Sequence, residues 1–446
     1  MIMNTENSIF EKLNNWIKNS VMLKLLTITI LMLLLLIPTS MIESIIGERE
    51  QLNMEATAEV SSKWAGQQEI NGPILTIPVL YEINKEDKKE VVTRYWHILP
   101  ENLNIKGEII PEKLRRGIYE IVVYKSDISV TGDFVLDHHL DQTHLTEIQY
   151  DRAFLTIGVS DLRGIKSQME FKLNKDILRV EPGSRVSQLI YSGVTIDLPN
   201  LTAGQDFDFE FTLDLQGSQN MTFVPIGSTT KVQVSSAWSS PSFNGNFLPD
   251  FREVNTEGFT ANWKILQLNR NFPQSWTGSD QAGKMQAAAF GVDLILPLDD
   301  YQKSTRSAKY GVMTIALTFL IFFLVEILYE RKIHPFQYVL VGLALCLFYV
   351  LLVSITEHSD FNTAYGISTF GIVTMVTLYS LSIFKVKKLV LMLVATLSGI
   401  YGFLFVTLQL ADFALLMGSI GLTLILAATM YFTRNINWYN LNIDKD

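Results

Sequence analysis

Residues 310–329 read YGVMTIALTFLIFFLVEILY, an apolar run of about the 20 residues that a helix needs to cross the hydrocarbon core of a bilayer. Four more apolar runs of similar length follow it, separated only by short polar breaks. They lie at residues 337–356, 364–384, 389–410 and 413–432. The last third of the chain, residues 309–432, is therefore predicted to form a bundle of five transmembrane helices.

The charges in the short breaks predict the orientation of this bundle, because Lys and Arg near helix ends tend to stay in the cytoplasm. Arg331 follows the first run, three lysines follow the third, and Arg434 follows the fifth. The second and fourth breaks carry acids instead, among them Glu357 and Asp412. The odd-numbered breaks and the tail, residues 433–446, are thus predicted to face the cytoplasm.

A sixth crossing is predicted near the N-terminus. Residues 1–20 are polar, and residues 21–42 form an apolar run with Lys24 near its start and Pro38 near its end. The run approaches spanning length and no signal-peptidase-like site follows it, so we expect a retained anchor rather than a cleaved signal peptide. With both termini in the cytoplasm, residues 43–308 are predicted to form a large domain on the outer side.

The long insertion after the first crossing contains two kinds of pattern. Residues 45–70 place apolar side chains at helical spacings among glutamates, which predicts an amphipathic helix that ends at the Asn-Gly-Pro sequence of residues 71–73. From residue 74 to residue 298, short runs rich in Val, Ile, Thr, Phe and Tyr alternate with period two between turn residues. About a dozen such runs predict an all-β, antiparallel, sandwich-like domain.

Composition narrows the classes of function. The chain has 446 residues, of which 48% are hydrophobic, and its net charge of −9 leaves no basic stripe for binding nucleic acid. Cys346 is the only cysteine, so the outer domain depends on its own core rather than on disulfides. The expected partners are the lipid bilayer and an unknown protein or envelope component, and no cofactor is expected.

A histidine-rich loop is the densest cluster of metal-capable side chains. It comprises Asp137, His138, His139, Asp141 and His144, and imidazole with carboxylate suits zinc or copper. No second group of ligands at a recognisable spacing accompanies it. The sequence therefore favours a polar loop over a metal site.

Six polar residues near the predicted membrane edges are the candidate functional or structural positions. They are Glu326, Arg331, His334, Glu357, His358 and Arg434. Glu326 is the strongest, because an ionisable group at membrane depth is costly and often marks function. It also lies close enough to its helix end to reach water, or to pair with Arg331 or Lys332.

The other candidates have simpler interpretations. His334 precedes Pro335 at a predicted helix start. Glu357 and His358 lie in an outer loop that either senses pH or is merely hydrated. Arg434 precedes aromatic residues at positions typical of an interfacial anchor.

No catalytic set is recognisable in the sequence. The chain contains no P-loop, no HExxH and no GxSxG motif. Ser382 and Lys385 have the S-x-x-K spacing of acylating serine enzymes, but the companion motifs are absent. We therefore expect no enzyme activity.

Several strings together resemble those of one known family. They are GPILTIPV from residue 72, FLTIGVSDLRGI from 154, SSAWSSPSFNGNFLPDFREV from 235, DDYQKSTRSAKYGVMTIALTFLIFFLVEIL from 299, HPFQYVLVGLALCLFYVLLVSITEH from 334 and TRNINWY from 433. From the anchor to the tail, the chain resembles the CreD family of bacterial inner membrane proteins, which is associated with cell envelope integrity.

The resemblance implies a setting rather than a mechanism. It implies residence in the bacterial inner membrane, with the β region in the periplasm. It also implies a part in the envelope stress response, since expression in the family is tied to a two-component system and mutants show altered tolerance to envelope-active agents. The family has no catalytic or ligand residues to transfer to this sequence.

Three functions follow from these observations. The leading one is a non-enzymatic envelope protein whose periplasmic β domain binds a partner or an envelope component. The second is a transporter or channel for an envelope-related substrate, although the membrane segments lack the paired polar residues and the symmetry-related interrupted helices expected of one. The third is a membrane-bound enzyme, for which no nucleophile, base and oxyanion donors can be assigned.

Overall fold

The computed structural model describes residues 21–85, 88–137, 140, 142–294, 300–329, 333–384, 386–410 and 413–434. The chain divides into two compact units, one of Met1–Leu52 together with Leu298–Asp446 and one of Asn53–Pro297. We call the first the membrane unit and the second the β unit. The two units do not mark the surfaces of a bilayer. The predicted domain boundaries at residues 43 and 308 therefore stay predictions.

Most of the described α-helices belong to the membrane unit, and several of these are long and apolar, whereas the short helix Ala282–Ala287 lies in the β unit. In chain order, the described helices are α1 (Val21–Leu34), α2 (Leu36–Trp64), α3 (Ala282–Ala287), α4 (Asp300–Lys309), α5 (Gly311–Leu328), α6 (Pro335–Thr356), α7 (Phe361–Phe384), α8 (Lys387–Gln409) and α9 (Ala414–Thr433). Among them, the segment Met22–Trp64 and α5 to α8 are long and apolar enough to span a bilayer, and a shorter apolar helix, Leu416–Tyr431, lies within α9. The predicted multi-pass membrane protein is confirmed.

The predicted first crossing, residues 21–42, is interrupted at Leu35 between α1 and α2. Pro38 explains the break, because proline has no N–H and its ring clashes with the carbonyl group four residues earlier, that of Leu34. The N–H of Thr39 donates to Leu35 O at 3.3 Å, so helical bonding resumes directly after the break.

The predicted amphipathic helix of residues 45–70 ends earlier than expected, at Trp64. The carbonyl oxygen of Trp64 accepts a hydrogen bond from Gln216 Nε2 at 2.6 Å, and the N–H of Gly66 donates to Asp161 Oδ2 at 2.8 Å. These contacts come from residues distant in sequence, so no local pattern reveals them. They replace the last turns of the expected helix, and a strand begins shortly afterwards.

The β unit contains two sheets. In chain order, the strands are β1 (Gln68–Lys85), β2 (Lys88–Ile98), β3 (Asn102–Arg116), β4 (Tyr119–Phe134), β5 (Leu145–Ile148), β6 (Phe154–Val159), β7 (Phe171–Leu173), β8 (Asp176–Leu178), β9 (Val180–Pro182), β10 (Gly193–Asp197), β11 (Phe207–Ser218), β12 (Asn220–Phe223), β13 (Thr229–Ser236), β14 (Pro241–Gly245), β15 (Phe251–Asn255), β16 (Gly258–Leu266), β17 (Ser275–Thr277) and β18 (Phe290–Leu294). The ten-stranded sheet has the order β14-β18-β12-β1-β6-β10-β9, with β2 and β5 paired to β1 and β17 paired to β2. The eight-stranded sheet has the order β15-β16-β13-β3-β4-β11-β7-β8.

The two sheets enclose one hydrophobic core, as the predicted sandwich-like domain requires. Alternation in β3 shows why these sequences form strands with one buried face. Ile105 and Ile109 point into the core, whereas Lys106 and Glu108 between them are exposed.

The predicted antiparallel pairing holds for most strand pairs, and two pairs depart from it. β1 pairs with β12 in parallel, and β3 pairs with β13 in parallel. In both cases more than a hundred residues separate the partners, which is enough chain to return to the same end of the sheet, as parallel pairing requires. The sheets are therefore mixed, with antiparallel pairs in the majority.

One buried histidine in the core couples the β unit to pH. Nδ1 of His97 lies 3.0 Å from the Thr76 hydroxyl oxygen, and the His97 ring centroid lies 5.4 Å from that of Trp276. Burial lowers the pKa of His97 to about 4 from an ordinary value of 6.5. The folded chain therefore disfavours the charged imidazolium, which the unfolded chain tolerates.

We expect the β unit to lose stability in acid, because the unfolded chain binds a proton at His97 before the folded chain does. The loss begins as the pH falls below 6.5, is complete near pH 4, and amounts to roughly 3 kcal/mol in the free energy of unfolding. His97→Gln should remove this component, whereas His144→Asn, at an exposed turn, should retain it. Denaturant unfolding of the full chain in detergent, followed by tryptophan fluorescence across this pH range, measures the difference. Equal pH slopes for wild type and His97→Gln would contradict the assignment.

Candidate functional site

Glu326, the strongest candidate in the sequence, is enclosed within the membrane unit. Its side chain is 1% exposed. Its Oε1 accepts from Lys24 Nζ at 2.7 Å and from the N–H of Ile333 at 3.1 Å, and its Oε2 accepts from the Tyr338 hydroxyl at 3.0 Å. The expectation that Glu326 reaches water is therefore wrong, because donors from α1 and from the start of α6 surround it.

The charged partner of Glu326 is Lys24, which the sequence analysis did not pair with it. Arg331 and Lys332, the partners that the sequence suggested for Glu326, lie outside the described residues. The expectation that the membrane segments lack paired polar residues is also wrong at this position. The sequence did contain an indication of this pairing. The distribution of Lys and Arg places the start of the first crossing and the end of the second on the same side of the bilayer. Lys24 and Glu326, each a charged residue within an apolar run, are thus expected at a similar depth in the bilayer.

The Lys24–Glu326 ion pair joins a buried carboxylate to a half-buried ammonium group. Both carboxylate oxygens of Glu326 are engaged, and the ring of Tyr338 packs edge-on against Phe319, with centroids 5.4 Å apart. Such a pair holds its helices in one register, since removing Lys24 would leave the buried carboxylate of Glu326 without its counter-charge. Its most direct effect is to fix α1 against α5 and α6.

His334 is a helix cap. Its Nδ1 accepts from the N–H of Phe336 at 3.2 Å, and its own N–H donates to Gln337 Oε1 at 3.0 Å. Pro335 is the first residue of α6, the position where proline is tolerated. These reciprocal bonds satisfy backbone donors that a helix start leaves free, so His334 has a structural role here.

The remaining described candidates lie at other helix ends. Glu357 follows α6 and pairs with Arg49 of α2, with Nε and Oε1 3.2 Å apart. His358 beside it is exposed. The guanidinium of Arg434 lies 4.1 Å from the centroid of the Tyr431 ring, a cation–π contact at the end of α9. These residues interact locally and do not converge on one site.

Only part of the histidine-rich loop is described. Asp137 and His144 are described, and His144 occupies an exposed turn with a φ of 62°. His138, His139 and Asp141 lie outside the described residues. Within the described ranges, no group of three or more His, Cys, Asp or Glu side chains is placed to hold a metal ion. The absence of a metal site stays a prediction.

A polar trough crosses the solvent face of the ten-stranded sheet in the β unit. Its floor is a row of residues in cross-strand register, namely Ser160 after β6, Glu69 on β1, Thr222 on β12, Gly291 on β18 and Asn244 on β14. Two clefts of about 330 and 360 Å³ open along this row and share Glu69 and Ser160. We call the row and the two clefts the trough.

Local backbone features shape one end of the trough. The pairing of β1 with β6 shifts register between Asn71 and Ile74, a bulge of the kind that often lies beside functional sites. Gly158 faces Asn71 across the pair, and a Cβ on it would lie 3.1 Å from both Asn71 O and Ile190 Cγ2. Glycine is therefore needed for this close approach. Tyr191 lines the same end and is 91% exposed.

The trough presents acceptors that have no protein donor. Oδ1 of Asn71 and Oδ1 of Asn244 are both buried and have no hydrogen-bond partner in the part of the chain that the structure describes. Glu69, between them, has no hydrogen bond or ion pair to its carboxylate from the described residues, and burial raises its pKa. Leaving a buried acceptor unpaired costs roughly 1–3 kcal/mol, so a donor supplied from outside is the natural explanation.

Asp293, in the row beside the trough, is a carboxylate that does receive hydrogen bonds from the protein. Burial raises the pKa of Asp293, while hydrogen bonds from the side-chain amides of Asn244 and Asn220 act in the opposite direction. This carboxylate is already supplied with donors. Asn71 Oδ1 and Asn244 Oδ1 differ from this carboxylate in having no donor among the described residues.

Two comparisons with known proteins agree with each other. The family described as "Inner membrane protein CreD" matches residues 20–439 of the chain. The protein named "Inner membrane protein CreD" of Escherichia coli (strain K12) is 34% identical over 420 residues, covering 93% of this chain and 92% of that protein. Both descriptions name an inner membrane protein, and neither names a reaction.

We expect Glu326→Ala to destabilise the membrane unit by roughly 3 kcal/mol, because the half-buried Lys24 would lose its counter-charge and the Tyr338 hydroxyl and the N–H of Ile333 would lose their acceptor. The double variant Lys24→Met with Glu326→Leu should lose less stability than the two single changes combined. Glu357→Ala, which breaks the more exposed pair with Arg49, is the matched control and should cost about 1 kcal/mol or less. Unfolding of the full chain in detergent measures Glu326→Ala, Glu357→Ala, the double variant and its two single changes, Lys24→Met and Glu326→Leu. Equal losses for Glu326→Ala and Glu357→Ala would contradict this account.

Proposed function

Because this chain belongs to the CreD family of inner membrane proteins, we propose that it supports cell envelope integrity by binding an envelope component or a partner through its β unit. The proposed role is non-enzymatic and belongs to the response to envelope stress. The observation that carries it is the trough, where the acceptors of Glu69, Asn71 and Asn244 have no donor among the described residues. These acceptors can receive hydrogen bonds from a ligand that lies in the trough.

The membrane unit has the complementary role of an anchor in this proposal. The buried acceptor of Glu326 is fully supplied with donors from Lys24, Ile333 and Tyr338, which favours a fixed arrangement of helices. The binding chemistry is therefore assigned to the β unit. The sequence motifs of the common hydrolases and nucleotide-dependent enzymes are absent, which supports a role without catalysis.

We place the β unit in the periplasm and both termini in the cytoplasm. The support is the alternation of charge in the short breaks, with cations after the runs that end near residues 329 and 384 and acids after the run that ends near 356. Lys303, Arg306 and Lys309 run against the rule, but they close a long insertion, where the rule is weak.

This orientation predicts which positions an impermeant reagent reaches. In a Cys346→Ala background, Lys175→Cys in the β unit should react with a membrane-impermeant maleimide added to right-side-out spheroplasts. Ser382→Cys, at the end of α7, should react only after the membrane is permeabilised. Labelling of both positions is compared by gel shift. Reaction at Ser382→Cys and not at Lys175→Cys in intact spheroplasts would reverse the proposed orientation.

A transporter or channel is the second candidate, and the Lys24–Glu326 pair is the observation that favours it. Ionisable pairs at membrane depth occur on ion and proton pathways as well as in structural contacts. The test is proton flux into proteoliposomes that enclose a pH-sensitive dye. Flux that disappears with Glu326→Gln, and persists with Glu357→Gln, would favour transport over anchoring.

The binding role predicts that changes in the trough abolish protection of the envelope while leaving the protein folded. Cells without a family member of their own would express wild type, the pair of changes Glu69→Gln with Tyr191→Ala, or the exposed control Ile177→Ala. We expect the trough variant to lose the tolerance to envelope-active agents that wild type and Ile177→Ala confer. Membrane abundance is measured in parallel by immunoblot. Full tolerance in the trough variant at equal abundance would contradict the proposed function.

A further inference from the structure

The chemistry of the trough limits what it can bind. Three groups along it, the Glu69 carboxylate and Oδ1 of Asn71 and of Asn244, are acceptors without a donor from the described residues. A ligand that fits them must donate hydrogen bonds. Fully ionised anions such as sulfate or a phosphodiester carry acceptors only, and no lysine, arginine or histidine is among the described residues that line the two clefts. Anionic ligands are thus a poor match.

The rest of the lining is rich in side-chain amides. Gln188 and Gln286 line the cleft that contains Asn71, and Gln67 and Asn220 line the cleft that contains Asn244. The amides of Gln67 and Asn220 already donate to Gln219 and Asp293, so each keeps one N–H and its carbonyl oxygen, whereas Gln188 and Gln286 lie on the other cleft. An amide carries donors and an acceptor, which matches a hydroxyl group because a hydroxyl also donates and accepts. A ligand with many hydroxyl or acetamido groups would engage acceptors and amides together.

The shape of the trough favours an extended ligand. The row from Ser160 to Asn244 crosses adjacent strands at roughly 4.8 Å per strand, so it is about 19 Å long. Consecutive sugars in a β-1,4-linked chain advance by a similar distance. Gly291 in the middle of the row has no side chain to obstruct the floor.

Tyr191 supplies the remaining element, an aromatic surface at the rim. Its ring is 91% exposed although the neighbouring Leu189 and Ile190 are buried. An aromatic ring offers a flat apolar face, which suits the C–H face of a pyranose, together with a hydroxyl at its polar tip. A solvent-facing tyrosine beside unpaired acceptors is therefore part of a recognition surface.

We propose that the trough binds an extended, uncharged oligosaccharide that bears hydroxyl and acetamido groups. The proposal rests on the binding role proposed above and names the ligand class of the same site. Tyr191 stacks on one sugar at the rim, Asn71 and Asn244 accept from groups at the two ends, and Glu69 accepts from a hydroxyl between them. The strongest competing class is a cationic peptide, whose ammonium groups also donate.

The test is binding of a soluble β-1,4-linked tetramer of N-acetylglucosamine to the full chain in lipid nanodiscs, measured by saturation-transfer NMR and calorimetry. Nanodiscs are used because sugar-headed detergents would compete. We expect saturable binding that Tyr191→Ala weakens about tenfold, the size of one aromatic contact. Tyr191→Phe, which retains the ring, should bind nearly as wild type does, and Ile177→Ala should not differ from wild type.

A tetralysine peptide separates this proposal from its competitor. We expect no saturable binding of tetralysine. Binding of tetralysine that Glu69→Gln abolishes, with none of the glycan, would overturn the sugar assignment and leave the binding role of the β unit in place. Glycan binding that Tyr191→Ala leaves unchanged would overturn the assignment to the trough. Binding of neither probe would also overturn it, and the tolerance assay would then decide separately whether the proposed function fails.

Discussion

A polypeptide in hydrocarbon has no water to bind its N–H and C=O groups, and this constraint divides the chain. Helices satisfy those groups within one segment, so the apolar stretches α5 to α8 are helical. The open sheets of the β unit leave edges whose groups need water or a partner. One chain can therefore carry both architectures only if they are separate units, as the division at residues 52 and 298 shows.

The same rule, applied to side chains, distinguishes the two polar sites. Inside the membrane unit, Glu326 receives hydrogen bonds from Lys24, Ile333 and Tyr338, so a carboxylate that would be costly alone becomes a stabilising contact. In the trough, Asn71 and Asn244 hold buried acceptors without donors. Glu326 is thus held by donors of the protein itself, whereas Asn71 and Asn244 can accept hydrogen bonds from a ligand.

These two sites assign separate tasks to the two units. The ion pair joins residues 302 positions apart in the chain, and so connects the N-terminal helix to the C-terminal helices of the membrane unit. The long insertion can then fold as a β unit with its own core. For a member of the CreD family, this arrangement supports a role in which the membrane part anchors and the sheet part recognises.

The sequence by itself determined the membrane crossings, the β class of the insertion and the family, because hydropathy and period-two alternation are local properties of the chain. It also located Glu326, since a charge in an apolar run is visible in the sequence. Only the tertiary structure decided that Lys24 is its partner, that α2 ends at Trp64, and that Glu69 and Asn244 share one row. Each of these depends on residues brought together from distant positions, and a single sequence contains no signal for which strands become neighbours.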